Sequence, residues 1–459
     1  MIVKFSFAKN LLASVAVVAF LAGSTNAFAE TLSEALAAAY SGNPTLRAER
    51  ARQRGTDEQV PQALSGWRPT VTAQGSVSKE WSDTNVSSKS DLTRGNVSIA
   101  LSQPIFRGFK TVNGVKQAES SVLAGQQNLL AVEQDVLFQA VQAYMNVIRD
   151  RQILALRQKN VGFLRQQLGA ANERFKVGEI TRTDVAQSRA RLSQSQAAVA
   201  SANATLEASI ASYEKVVGHK PGSLKYPHLA KVPRSLDAAQ SAALEINPNI
   251  LSAAYVEDAA RFNIEVVKGD LLPELSVSAS ASLTGLTDNP PLGADRSNSE
   301  RIEGILTVPL YEAGRVYSGV RQSKQIASQR RLEVIVTGRS VREGVSNAWY
   351  FLQSSSQSIS ANKTQVSSSE LALDGVRQEY LVGSRTTLDV LDAQSEVVSA
   401  RINLVAAQRD QIVSSYQILG AIGRLTARDV HLRVDYYDPD ENYRAVRNKW
   451  FGTKANTVE

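Results

Sequence analysis

The chain has 459 residues, 43% of them apolar, with 51 Lys+Arg against 44 Asp+Glu for a formal charge of +7. That composition supports a folded core, and at about 150 residues per domain the length suggests two or three domains. There is no Cys, the three His (His219, His228, His431) stand in no metal-ligating spacing, and no phosphate loop, dinucleotide fingerprint or nucleophile elbow occurs, so no catalytic residue, cofactor or structural metal is expected; the scattered charge offers no basic face for nucleic acid.

Residues 1–29 read as a signal peptide. Lys4 and Lys9 form a positive n-region, Leu11 to Ala22 an apolar stretch, and Ala27-Phe28-Ala29 a small-residue cleavage site. The apolar stretch is about a dozen residues, against the ~20 that a spanning helix needs. Cleavage would leave Glu30 first and, with two lysines lost, a charge of +5. No long apolar run follows, so the exported chain is expected to be soluble or a β-barrel.

The remainder is one unit written twice. Asn43-Pro44 and Asn247-Pro248 stand 204 residues apart, as do Pro69 and Pro273. At an offset of 205, Pro104-Ile105-Phe106 matches Pro309-Leu310-Tyr311, Val177-Gly178 matches Val382-Gly383, and Gly218 matches Gly423. The expected organisation is a first repeat over 30–218, a Pro/Lys-rich linker over 219–234, a second repeat over 235–423 and a tail over 424–459.

Each repeat reads as a helix, two strands and a long helical hairpin. The strands are placed at about 70–79 and 95–106, then 274–285 and 300–311. Leu275, Val277, Ala279, Ala281 and Leu283 alternate with serines, and Val97, Ile99 and Leu101 alternate likewise. Such runs have the length of tilted membrane strands, joined by polar loops over 80–93 and 288–299. Four strands cannot close a barrel, and an open edge cannot face lipid, so several chains must share one. A solvent-exposed β-layer fits the alternation equally well. No Pro interrupts Gly108 to Phe175 or Gly314 to Tyr380. Each span would reach about 100 Å as helix, with apolar residues in 3-4 spacing that suits coiled-coil packing.

The hairpin tips read Phe175-Lys176-Val177-Gly178-Glu179-Ile180-Thr181-Arg182-Thr183-Asp184 and Tyr380-Leu381-Val382-Gly383-Ser384-Arg385-Thr386-Thr387-Leu388-Asp389. Gly178 and Gly383 are placed to end the incoming helices. Thr181 with Asp184 and Thr386 with Asp389 are placed to start the outgoing ones as capping boxes. Asp392 lies one turn beyond Asp389, and its repeat mate is Gln187, so capping does not account for it.

The duplicated layout, the Asn-Pro after the first helix and the second tip "YLVGSRTTLDVLDAQ" resemble the TolC-type outer-membrane efflux protein family over nearly the whole mature chain. The resemblance implies a homotrimer of mixed α and β structure. Its 12-stranded barrel in outer-membrane lipid, four strands per chain, would continue into a long periplasmic α-helical coiled-coil barrel. It implies an exit duct for small toxic compounds, secreted proteins or both. It further implies a periplasmic adaptor protein and an inner-membrane transporter of the RND or ABC type as partners. By resemblance Asp389 and Asp392 line the periplasmic entrance, and Tyr380 and Arg385 are gate residues bonding toward Thr183 and Asp184 on the neighbouring hairpin. Cation block falls at the two aspartates, and the tips Val177, Gly178, Val382 and Gly383 receive the adaptor. A periplasmic adaptor or a structural coiled-coil protein is the alternative reading.

Overall fold

The computed structural model describes residues 29–84, 87–287 and 295–455. The expected signal segment lies outside them except for Ala29, as do residues 288–294 with Pro290-Pro291. In chain order the first copy holds α1 (Leu32–Gly42), α2 (Pro44–Asp57), α3 (Gln59–Leu64), β1 (Thr70–Thr84), β2 (Ser87–Arg107), α4 (Lys110–Lys176) and α5 (Arg182–Val217). The second holds α6 (Leu236–Ile246), α7 (Pro248–Lys268), β3 (Glu274–Thr287), β4 (Asp295–Thr307), α8 (Arg315–Leu381) and α9 (Thr387–Ile422), and α10 (Pro439–Val446) lies in the tail.

The leading helix expected in each copy is divided. Asn43 and Asn247 each close one helix and cap the next, with Pro44 and Pro248 at the first helical position, where an N–H has no partner in any case. In the first copy Pro61 comes four residues after Asp57, so its ring conflicts with that carbonyl and the helix breaks into α2 and α3. No Pro follows in α7, which runs unbroken for 21 residues.

The four strands form one antiparallel sheet in the order β1-β2-β3-β4. Its register sorts the side chains. Val71, Leu101, Ala279 and Ile302 lie abreast on one face, followed by Ala73, Ile99, Ala281 and Glu300, then Gly75, Val97, Leu283 and Asn298, so this face is apolar over β1 to β3 and mixed on β4. The other face carries Thr70, Ser102, Ser278 and Glu303, then Gln74, Ser98, Ser282 and Ser299. On β1 the exposed apolar side chains run from Val71 to Trp81. Ten residues span about 33 Å along a strand, or roughly 25 Å of height at a 40° tilt, the height of a lipid-facing band.

The strands differ from the sequence reading at both hairpin turns and at the end of β4; β4 already begins at Asp295, inside the expected loop 288–299. The expected loop 80–93 is largely ladder, with Glu80 paired to Leu92 and Thr84 to Ser87. Its polarity marks the end of the apolar band, while backbone pairing continues beyond it. Conversely, β4 ends at Thr307 rather than 311, because Thr307 pairs with Glu274, the first residue of β3. Val308, Leu310 and Tyr311 are left exposed, Leu310 at 92%, with no strand of the same chain to meet them.

Where sheet meets helices, two glycines cross. Gly108 has φ +55°, and a Cβ there would stand 2.3 Å from the Gly269 carbonyl oxygen; a Cβ on Gly269 would stand 2.6 Å from that of Gly108. Lys110 ties the crossing by bonding Asp270 at 3.0 Å and pairing with Glu274. Gly108→Ala should therefore abolish folded protein in the membrane fraction. Gly114→Ala, in the first turns of α4 with open space around it, should leave the yield unchanged. Equal yields of the two variants would contradict the crossing's role.

Helices α4 and α8 each have 67 residues, and α5 and α9 each have 36. The longer ones reach about 100 Å. Among the described residues no helix is long and apolar enough to cross a membrane. The main core sits midway along the hairpins. There Leu137, Val141, Tyr144 and Met145 of α4 pack with α1, Tyr213 of α5, Ile412 of α9 and Leu425 and Leu432 of the tail. Far from it, the ends of both hairpins stand clear of any large core.

Candidate functional site

The two tips are built alike. Gly178 (φ +79°) and Gly383 (φ +81°) turn the chain in the left-handed conformation. The Glu179 and Ser384 N–H groups reach back to Arg174 O and Glu379 O, both at 2.9 Å. Val177 and Val382 project at the apices, about four-fifths exposed. Thr181 Oγ1 then accepts from the Asp184 N–H at 3.3 Å, while Asp184 Oδ2 accepts from the Thr181 N–H at 2.9 Å. Thr386 and Asp389 repeat this at 3.3 and 2.8 Å. Both capping boxes read from the sequence are present. Thr386→Ala removes a cap worth about 1 kcal/mol, so amide exchange over 387–390 should quicken about fivefold. No change there would mean that the tip is held by packing instead.

The gate residues are not joined as the resemblance implies, at least within one chain. Arg385 Nε bonds Glu379 Oε2 of its own tip at 2.6 Å, and Asp184 is engaged by Thr181. Thr183 sits exposed in the first turn of α5. Tyr380 Oη lies 3.4 Å from Thr387 Oγ1, and its ring lies 4.7 Å from the Arg174 guanidinium of the first hairpin. Asp392 accepts from Arg191 Nη2 of α5 at 2.6 Å. Arg377 stacks on Phe163 at 4.8 Å. The two hairpins of one chain are thus fastened near their tips by Arg191–Asp392, Arg174–Tyr380, Phe163–Arg377 and a hydrogen bond from Gln394 Nε2 to Asn160 Oδ1 at 3.3 Å.

Sequence reasoning missed Arg174, Glu179, Arg191 and Glu379. A charge exchange between the repeats carries their signal. At the offset of 205, Arg174 matches Glu379 and Arg191 matches Glu396. In the first tip the helical Arg174 pairs with the loop residue Glu179; in the second, the helical Glu379 pairs with the loop residue Arg385. The same fold position is stapled with opposite polarity.

The electrostatics follow from these bonds. The Thr386 backbone N–H and hydroxyl hold the Asp389 carboxyl below the usual carboxylate range. Glu379 raises the Arg385 guanidinium further, and Glu179 does so for Arg174. Asp389 is therefore a fixed anion at the tip with one oxygen, Oδ2, committed to the cap, whereas the charge of Asp392 is matched by Arg191. Among the described residues no cluster of metal-binding side chains occurs. What the tips offer is charge, exposed small apices and breakable fastenings between two rods.

Comparison with known proteins agrees with this architecture. The model of the family described as "Outer membrane efflux protein" matches residues 35–219 and 239–424, one match on each repeat. The chain is 41% identical over 430 residues to the outer membrane efflux protein BepC of Brucella suis biovar 1, covering 94% of this chain and 93% of that protein. It is 27% identical to the outer membrane protein TolC of Escherichia coli K12, covering 88% and 84%. Its fold superposes on the Campylobacter jejuni CmeC outer membrane channel with a TM-score of 0.77 at 16% identity, over 91% of this chain and 89% of that one. These matches set aside the adaptor and structural coiled-coil readings: the chain belongs to the outer membrane efflux protein family.

Proposed function

We propose that three copies close their four-stranded sheets into one 12-stranded barrel in the outer membrane, and that the twelve long helical segments continue it as a periplasmic conduit. The observation that carries this is the sheet itself. Over β1 to β3 it has one apolar and one polar face; it also has two unpaired edges, and exposed Val308 and Leu310 continue the Ile302 and Leu306 side of β4 past its last intrachain pair. An unpaired edge is untenable in lipid, and pairing β4 with β1 of the next copy removes every edge at once. The polar face then lines a water-filled lumen.

The duct exports small toxic compounds, secreted proteins or both, and the exposed Val-Gly apices at 177–178 and 382–383 receive a periplasmic adaptor. An inner-membrane transporter supplies the energy, since the duct itself only offers a path. Leucine or valine apices with a left-handed glycine suit a partner helical hairpin docking tip to tip. In this reading Asp389 of three chains meets at the entrance.

Purified protein in mild detergent should have the mass of a trimer and should form ion-conducting channels in planar bilayers. Deleting the gene should raise intracellular accumulation of dyes and drugs. A monomer that conducts would remove the shared-barrel reading; a trimer whose deletion leaves accumulation unchanged would remove the efflux assignment.

A further inference from the structure

Residues 447–455, after α10, occupy a place the duct does not require. After α10 the chain turns back toward the foot of β1. Arg68, two residues before that strand, donates from Nη1 to Lys449 O at 2.9 Å, and its guanidinium lies over the Trp450 ring at 4.7 Å. Trp450 and Phe451 sit side by side with ring centroids 6.4 Å apart. Gly452, at φ +96°, reverses the chain after them, and Lys449 Nζ bonds Lys454 O at 2.7 Å. The loop is therefore closed and held, yet its rings face outward. Trp450 is 57% exposed and Phe451 86%, and Trp67 beside Arg68 is 47% exposed.

Position gives these rings a meaning. Val71, the first residue of the apolar band, follows Trp67 by four residues. Trp81 stands at the band's other end. Trp67, Trp450 and Phe451 thus continue the outward apolar wall at its helix-side border, where a membrane protein places amphipathic rings at headgroup level. Cations accompany them. Beside the tail opens a cavity of about 570 Å³ whose lining includes Arg54, Lys449 and Lys454, with Glu58 as its carboxylate. Aromatic rings projecting from a rigid loop, with lysine and arginine beside them, match a phospholipid surface: acyl chains for the rings, phosphate for the cations.

We propose that residues 447–455 are a membrane-interface anchor. Trp450 and Phe451 insert into the periplasmic leaflet of the outer membrane, and Arg54, Lys449 and Lys454 take the phosphate of a phospholipid there. Three such anchors around a trimer fix the depth and tilt of the duct independently of the barrel wall. This proposal rests on the reading of the sheet as a lipid-facing barrel, so its test carries a control for that reading.

The chain has no Cys, so a single introduced cysteine gives a unique spin-label site in the full-length protein. Labels at Phe451→Cys and at Val71→Cys are compared in vesicles of phosphatidylethanolamine and phosphatidylglycerol, by their collisions with oxygen and with a water-soluble nickel chelate. Both labels should collide more with oxygen, with Val71→Cys the deeper. Adding Lys449→Glu and Lys454→Glu should shift the label at 451 toward water and leave the one at 71 unmoved. Nickel-accessible 451 with lipid-exposed 71 overturns the anchor while the barrel stands. A label at 451 shielded from both reagents means a protein covers the rings, and also overturns it. If 71 itself is not in lipid, the barrel reading fails and the anchor with it.

Discussion

Asp389→Ala should remove block of the channel by a periplasmic-side trivalent cation and weaken its preference for cations, whereas Arg191→Ala should strengthen both. The sequence suggests six equivalent carboxylates at the entrance, two from each of three chains. The structure divides them. Asp389 has one oxygen in the Thr386 cap and the other uncommitted, with its ionised form favoured. Asp392 faces an arginine at 2.6 Å, which cancels its field at pore distances. In the proposed trimer three aspartates should then set selectivity, in the manner of other carboxylate rings. Freeing Asp392 by Arg191→Ala doubles the number of unpaired carboxylates, and a narrow mouth focuses their field enough for roughly tenfold stronger block. A hard trivalent ion gains further because it takes several oxygen ligands.

Acidity offers a second reading of the same ring. Because the folded-state pKa of Asp389 lies below its ordinary value, the carboxylate and the tip stability it contributes are present above pH ~4 and are lost as pH falls through the lower, folded value. Block should therefore persist to pH below about 4. Loss of block already near pH 5 would assign it to some other carboxylate. Selectivity unchanged in Asp389→Ala would dismiss the ring altogether.

Much of the architecture is legible because it is periodic or duplicated. The serine alternation over 275–283 sets the two faces of β3, and register aligns it with the alternation of β2; on β4 only Ile302 and Leu306 follow it, with Asn298 and Glu300 on the apolar side. Capping at Thr181 and Thr386 follows from residue type and spacing alone. Strand ends are less legible. Ser82 and Thr84, past the band's last residue Trp81, are polar yet paired, since backbone hydrogen bonds ignore side-chain polarity once the lipid is left behind. The end of β4 depends on where β3 begins, which β4 does not encode. At the tips, Asp392 stands out by its asymmetry with Gln187, but its partner Arg191 comes from the other repeat, 201 residues away. Such a pair becomes visible only when the two repeats are superposed and their exchanged charges compared.

The largest change in conductance should come from Arg174→Ala combined with Asp392→Asn. Together these remove two of the fastenings between the second hairpin and the first, leaving the Phe163–Arg377 stack, the Gln394–Asn160 hydrogen bond and packing around Leu373 and Val390. Each fastening is modest: an exposed ion pair is worth about 0–1 kcal/mol and an exposed cation–π contact about 0.5–1 kcal/mol. A trimer holds three of each and moves as one, so the sum of roughly 3–4 kcal/mol shifts a closed-to-open ratio several hundredfold. Charge alone predicts no comparable rise. Arg174→Ala removes a guanidinium and Asp392→Asn a carboxylate, so the net charge of each tip is unchanged and, without movement of the hairpins, cation conductance should stay nearly level. A rise in single-channel conductance, with trimers intact in detergent, therefore reports opening rather than a change in the charge of the static pore. Arg385→Ser supplies the remaining arm. In one chain Arg385 serves only Glu379 of its own tip, so a rise on its substitution would place its second bond on Asp184 of the neighbouring chain. Unchanged conductance in Arg385→Ser, beside a rise in the double variant, assigns the closed state to the fastenings within each chain.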